Sequence, residues 1–195
     1  KSDDICKLKK MQKTVYRNLR KKQLEIEVIE SMLHTCKTHL SRNEVADFYF
    51  DKARRTWNLD KNEEARKQFE EIIGKFPSTI PAIEAHLLLG YLNMSAQKYQ
   101  DAAKWFGKFH LNYPSHEETE EARFQHGFVL LLAGDVAAAV DVWKDHEQDP
   151  KSTFWHAKAL IKLGKVEEGK KILEALESGF PFHYYGIRSS MILNP

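Results

Sequence analysis

A three-point pattern recurs four times along this chain, and its period restricts the fold more than any composition figure does. Each occurrence begins with a small residue, Ala53, Gly90, Gly127 or Ala157, and a second one follows twelve positions on, at Ala65, Ala102, Ala139 or Gly169. Four residues later comes a large apolar side chain: Phe69, Phe106, Trp143 or Leu173. Three occurrences then close on an aromatic–proline pair, Phe76-Pro77, Tyr113-Pro114 and Phe180-Pro181. In the Trp143 occurrence the proline is Pro150, one residue early. Paired helices account for this spacing. A small residue on each helix lets the two axes approach closely, and the large residue fills the gap to the neighbouring pair. Proline cannot donate the helical hydrogen bond, so it ends the second helix. The units follow one another at 37, 37 and 30 residues, joined at the first two junctions by Pro77–Pro81 and Pro114–Glu118.

The N-terminal quarter follows the pattern loosely. Ser41-Arg42-Asn43-Glu44 reads as a capping box, so one helix starts there and an earlier one has stopped. Residues 5–40 read as a degenerate hairpin turning near Arg20 to Gln23. The alternative is one long helix, because Leu8, Met11, Val15 and Leu19 form a stripe that can continue through Ile26, Ile29, Leu33 and Cys36. The choice decides the fate of the two cysteines. A hairpin brings Cys6 and Cys36 together at its open end, within reach of a disulfide, whereas one helix holds them about 45 Å apart. A bridge would suit an oxidising compartment; two unrelated small hydrophobes remain the other reading.

The residue types at these offsets resemble the tetratricopeptide repeat, over roughly Val45 to Pro181. The resemblance implies an all-α fold, a right-handed α-solenoid of helical hairpins. Its expected organisation is an N-terminal cap hairpin at 1–40, four repeats at 41–181 and a C-terminal helix or linker at 182–195.

Charge and chemistry narrow the function by exclusion. A net charge of +2 is too small for a nucleic-acid surface, and the basic stretch from Lys7 to Lys22 reads as a solvated helix face. No apolar run approaches the length of a transmembrane segment. The two cysteines lack metal-ligand spacing, and the nine histidines are scattered. Among these, His86, His126 and His156 fall in first helices, where a packed or surface role is expected. There is no phosphate-binding glycine loop and no nucleophile motif, so no catalytic residue, metal site or cofactor is expected.

The resemblance assigns first-helix positions to a concave wall. One row is Phe50, Leu87, Phe124 and Phe154; a second is Arg54, Tyr91, Phe128 and Lys158; a third is Trp57, Met94, Leu131 and Ile161. The rows are largely apolar, so the groove is expected to receive a protein or peptide segment, from a partner or from the same polypeptide. The competing reading is that superhelical winding buries these rows against neighbouring repeats.

Two further resemblances concern the setting. Phe154-Trp155-His156-Ala157-Lys158-Ala159-Leu160, then Leu163-Gly164, then Pro181-Phe182-His183-Tyr184-Tyr185-Gly186, resembles the end of the superhelical domain of soluble lytic transglycosylases. Ser189-Ser190 stand where that family often has two alanines. The family's Glu-Ser pair leading to a Gly-Leu-Met-Gln segment is missing, since neither Glu30-Ser31 nor Glu177-Ser178 precedes one. This resemblance implies a non-catalytic scaffold beside a catalytic domain, in the bacterial periplasm, with peptidoglycan as the relevant polymer. Tyr99 to Phe106 and Asn112 to Ala122 instead resemble envelope tetratricopeptide adaptors, such as outer-membrane assembly lipoproteins and cell-division coordinators. That implies a free-standing protein–protein adaptor.

Overall fold

The computed structural model describes residues 2–144 and 149–194, with side chains from residue 4 onward. Among the described residues there are helices and no strands. They are α1 (Ser2–Asn18), α2 (Lys22–Thr35), a short 3-10 turn (Lys37–His39), α3 (Arg42–Trp57), α4 (Asn62–Lys75), α5 (Ile80–Ser95), α6 (Tyr99–Asn112), α7 (Thr119–Leu132), α8 (Val136–Trp143), α9 (Pro150–Lys162), α10 (Val166–Gly179) and α11 (Tyr184–Leu193). Two compact units divide the chain, Lys1–Leu92 and Asn93–Pro195, with the boundary inside α5.

Five turns within helix pairs close in the same way. Arg20, Asp60, Gln97, Gly134 and Gly164 all take positive φ, between 55° and 91°. At each, the amide after the left-handed residue reaches back five positions, as in Lys21→Tyr16, Lys61→Thr56, Lys98→Asn93, Asp135→Leu130 and Lys165→Leu160. This left-handed closure satisfies the last carbonyls of the first helix and reverses the chain. The N-terminal segment is therefore a hairpin with the same turn as the repeats, although its sequence pattern is worn.

In the first unit, α1 and α2 are cross-linked by a Cys6–Cys36 disulfide spanning 30 residues of sequence. Val28, Ile29, Met32 and Phe48 form the core between α2 and α3, with Tyr16, Leu33 and Leu40 packed against it. The predicted capping box is present: Ser41 Oγ accepts from the Glu44 amide, and the Glu44 carboxylate accepts from Ser41 N–H. Lys10 and the Ser41 N–H hold the Glu44 carboxyl down at about 2. The basic stretch is only partly a solvated face. Lys13 lies 2.6 Å and Arg17 2.5 Å from Asp51, Lys10 lies 2.7 Å from Glu44, and Lys9 contacts Ser31. Buried Glu25 sits between Arg17 at 3.0 Å and Arg55 at 2.7 Å. Charges that an isolated helix would give to water dock α1 onto α2 and α3.

The repeat positions are packing positions in both units. Ala53, Ala65, Ala102, Ala139, Ala157, Phe69, Phe106 and Leu173 are fully buried, Trp143 nearly so, and Gly90, Gly127 and Gly169 are buried. A Cβ on Gly127 would stand 2.3 Å from the Trp143 ring, so this crossing of α7 and α8 requires glycine. Pro150 departs from the expected pattern. It is the first residue of α9, where the missing N–H costs nothing, and Asp149 caps that helix. The aromatic–proline stop is thus absent after α8, and residues 145–148 between them lie outside the described residues. At the C-terminus α11 packs on α10 and α9, with Tyr185 and Leu193 against the Phe154, Ala157, Leu173 and Leu176 core.

Candidate peptide-binding face

The row Phe50, Leu87, Phe124 and Phe154 is buried, with 4–7% of each side chain exposed, so it forms the floor of the hairpins. In the second row Arg54 and Lys158 are exposed, while Tyr91 and Phe128 are half-buried. In the third, Trp57, Met94, Leu131 and Ile161 are all half-buried. The first unit holds Phe50, Arg54, Trp57, Leu87 and Tyr91. The second holds Met94, Phe124, Phe128, Leu131, Phe154, Lys158 and Ile161.

Within the first unit Phe50 and Trp57 both pack on Phe69 of α4. Phe69 meets Phe50 at 5.8 Å and Trp57 at 6.3 Å between ring centroids, and the Arg54 guanidinium lies 5.8 Å from the Phe50 ring.

In the second unit the aromatic side chains form a continuous ladder across α7, α9 and α11. Buried Trp143 stacks on Phe124, Phe124 stacks on Phe128 at 5.9 Å, and Phe128 meets Trp155 edge-on at 5.1 Å. Trp155 contacts Phe154 at 6.1 Å; Phe154 contacts Tyr185 at 5.3 Å, and Tyr185 contacts Tyr184 at 4.9 Å. The ladder emerges as it runs along the chain: Phe128, Trp155 and Tyr185 are half-buried, and Tyr184 is exposed. Lys158 stands over it, with Nζ 5.5 Å from the Trp155 ring and 5.9 Å from Phe154. Lys151 lies 4.0 Å from the Phe124 ring while pairing with Glu121 at 2.6 Å. Edge-to-face rings hold a rigid apolar shelf, and a cation over it adds attraction for an anionic group.

The concave rows omitted Trp155, Tyr184 and Tyr185. The signal was present in the aromatic doublets Phe154-Trp155 and Tyr184-Tyr185, whose members point about 100° apart on a helix, so that one can pack inward and the other toward the edge of the face. Gly186 explains how α11 completes the shelf. A Cβ there would stand 1.9 Å from the Phe180 carbonyl oxygen, so only glycine lets α11 abut the end of α10.

Among the histidines, His86 is buried with Nδ1 2.8 Å from the Ala82 carbonyl oxygen, and His156 is buried. His126 lies with Nδ1 3.0 Å from His110 Nε2 between α7 and α6, its ring 3.1 Å from where a Gly107 Cβ would stand. Burial pushes its pKa from 6.5 down to about 4. His126 borders an open cleft of about 440 Å³ lined also by Lys104, Lys108 and Leu130. Among the described residues no three His, Cys, Asp or Glu side chains are grouped to hold a metal, and no helix is long and apolar enough to cross a membrane.

Comparison with known proteins agrees with this architecture. A tetratricopeptide-repeat family model matches residues 50–108, and a model described as anaphase-promoting complex, cyclosome, subunit 3 matches residues 95–176. No curated protein sequence matches. Among solved structures, MamA AMB-1 superimposes with a TM-score of 0.68 at 14% identity, over 99% of both chains. MamA from Desulfovibrio magneticus RS-1 gives 0.65 at 9% identity, over 89% of this chain and 93% of that one. YrrB, described as a TPR protein with an unusual peptide-binding site, gives 0.64 at 13% identity, over 92% of this chain and 88% of that one. At such identities the structural likeness speaks to fold. Residues 50–108 thus match a tetratricopeptide repeat, and over most of the chain the all-helical fold is like that of tetratricopeptide-repeat structures.

Proposed function

We propose that this chain is a non-catalytic adaptor that holds a partner's peptide segment against the aromatic face of α7, α9 and α11. The observation that carries the reading is the Phe128–Trp155–Tyr185 shelf, half-open to solvent with Lys158 above it. Rigid aromatic side chains supply contact area at low entropic cost, and tetratricopeptide-type surfaces use such area to grip extended or helical segments. The Cys6–Cys36 bridge supports a working place in an oxidising compartment, and the resemblances make that the bacterial envelope. The test is selection from a displayed random-peptide library on the purified protein. Enriched sequences that combine apolar and acidic residues, and that lose binding on Trp155→Ala, are expected. Absence of any enriched sequence would overturn the reading.

A second reading keeps one observation in its favour. A shelf of half-open aromatic rings also suits the apolar face of a sugar, as a scaffold for peptidoglycan requires. The solved structures named above include no lytic transglycosylase, so this reading rests on the Phe154–Gly186 pattern and the shelf. In the fold, Phe154 and Gly186 of that pattern serve packing. Binding of soluble glycan strands to the same face, abolished by Trp155→Ala, would favour it. Clearing of a peptidoglycan suspension by the chain alone would contradict both readings.

A further inference from the structure

The N-terminal helix presents its apolar side to solvent. Ile5, Leu8, Met11, Val15 and Leu19 are between 50% and 65% exposed, yet they fall within about a third of the circumference of α1. An amphipathic helix on a protein surface ordinarily turns this side inward. Here the opposite side is inward and is held by specific chemistry. Cys6 is bonded to Cys36, Lys9 contacts Ser31, and Lys13 and Arg17 pair with Asp51. Arg17 also reaches buried Glu25, and Tyr16 packs on the Val28, Ile29, Met32 and Phe48 core. Rotating α1 to bury its apolar stripe would break the disulfide, take Lys13 and Arg17 from Asp51 and leave buried Glu25 with Arg55 alone. The outward stripe is fixed by the fold.

Charge indicates what the stripe meets. Lys7, Arg20 and Lys21 are exposed beside it or just past its end and outnumber the exposed carboxylate of Asp4 in the same arc, while Lys10 is engaged with Glu44. A second copy of α1 would set these cations against like charge. A stripe about 21 Å long, convex and flanked by lysine and arginine, has the form of a helix that lies in an anionic bilayer interface. Its apolar residues enter the acyl boundary and its cations meet phosphates. We propose that α1 docks the protein peripherally on an anionic lipid surface, leaving the rest of the chain in water. No described helix can cross a bilayer, so the contact is one of lying on the membrane. This inference is independent of the peptide-binding reading.

The test is co-sedimentation of the oxidised protein with phosphatidylglycerol-containing vesicles and with phosphatidylcholine vesicles, at low and high salt. Binding to the anionic vesicles, weakened by salt, is expected. Leu8→Asp with Val15→Asp should lower the partition at least about tenfold, and so should Lys7→Glu with Arg20→Glu and Lys21→Glu. All five positions are exposed, and circular dichroism confirms that each variant keeps its helices. No binding of the unaltered protein to anionic vesicles would overturn the proposal, as would equal binding by the Leu8/Val15 variant. A concentration-dependent dimer that the same variant abolishes, with no vesicle binding, would also overturn it and make a second copy the occupant.

Discussion

The first hairpin and the later repeats share a turn geometry but hold their helices together by different means. From α7 to α10 the repeat-position contacts are steric, with the Lys151–Glu121 ion pair beside them: a small residue on one helix meets a large one on the next, as Gly127 meets Trp143. In α1 and α2 they are a disulfide and a set of ion pairs around Glu25 and Asp51. Steric packing leaves a sequence period, because it needs the same residue sizes at the same places in each copy. Charge pairing leaves none, since Lys–Asp, Arg–Glu and cystine contacts substitute for one another without a shared pattern. The difference extends to the outer surfaces. The repeats turn apolar faces inward and leave an aromatic shelf half-open, whereas α1 turns its charged side inward and its aliphatic side out.

Breaking the steric side should cost most. Trp143→Ala removes a buried indole from the α7–α8 crossing and should destabilise the second unit by about 3–5 kcal/mol in urea unfolding. Gly127→Ala drives a methyl into the same ring and should cost about 1–3 kcal/mol, with partial rescue when combined with Trp143→Leu. A loss well below 1 kcal/mol for both would show that the repeats are not held by this fit.

Breaking the covalent side should act locally. Replacing Cys6 and Cys36 by serine releases a loop of 30 residues, worth about 3–4 kcal/mol in the chain-entropy account. Hydrogen exchange should quicken in α1 and α2 and stay unchanged in α7 to α10. Equal quickening in both units would contradict the contrast.

Acid should act on the second unit through His126. Its folded pKa of about 4 lies below the ordinary 6.5, so between these values the unfolded chain binds a proton that the folded chain refuses. Stability is full above about pH 6.5 and falls as pH drops toward 4, by about 2–3 kcal/mol. His126→Gln should flatten that part of the profile. Glu44, held at about 2, loses its contribution in a lower window, from 4.5 downward, and belongs to the first unit.

The turns offer the smallest effect. Arg20, Asp60 and Gln97 hold a left-handed conformation that glycine adopts freely, as Gly134 and Gly164 do at the equivalent turns. Each change to glycine should stabilise by about 0.5–1 kcal/mol in thermal unfolding. A loss on Arg20→Gly alone would separate the first hairpin from the repeats.

These contrasts explain what could be read in advance. The burial of Ala53, Ala65, Phe69 and their counterparts was legible because helix packing writes residue size at fixed offsets. The capping box at Ser41 was legible because its hydrogen bonds are local. The inward rotation of α1 was not, since the Leu8, Met11, Val15 and Leu19 stripe carries the usual mark of a buried face. Ion pairing across 34 residues, from Arg17 to Asp51, has no signature in a single sequence. Phe124 and Phe154 are floor, whereas Trp155 and Tyr185, beside them in sequence or in space, complete the open shelf. Pro150 took the opposite role from its counterparts because proline suits a helix start as well as a helix stop.

The reading of the second unit as the peptide-binding surface is tested most directly by one affinity series. A peptide selected on the unaltered protein is titrated, by fluorescence anisotropy, against Phe128→Ala with Trp155→Ala, and against Leu8→Asp with Val15→Asp. The account predicts at least a tenfold weaker Kd for the first variant, as expected of a central aromatic pair, and an unchanged Kd for the second. Unchanged affinity in the first, or loss confined to the second, would contradict it.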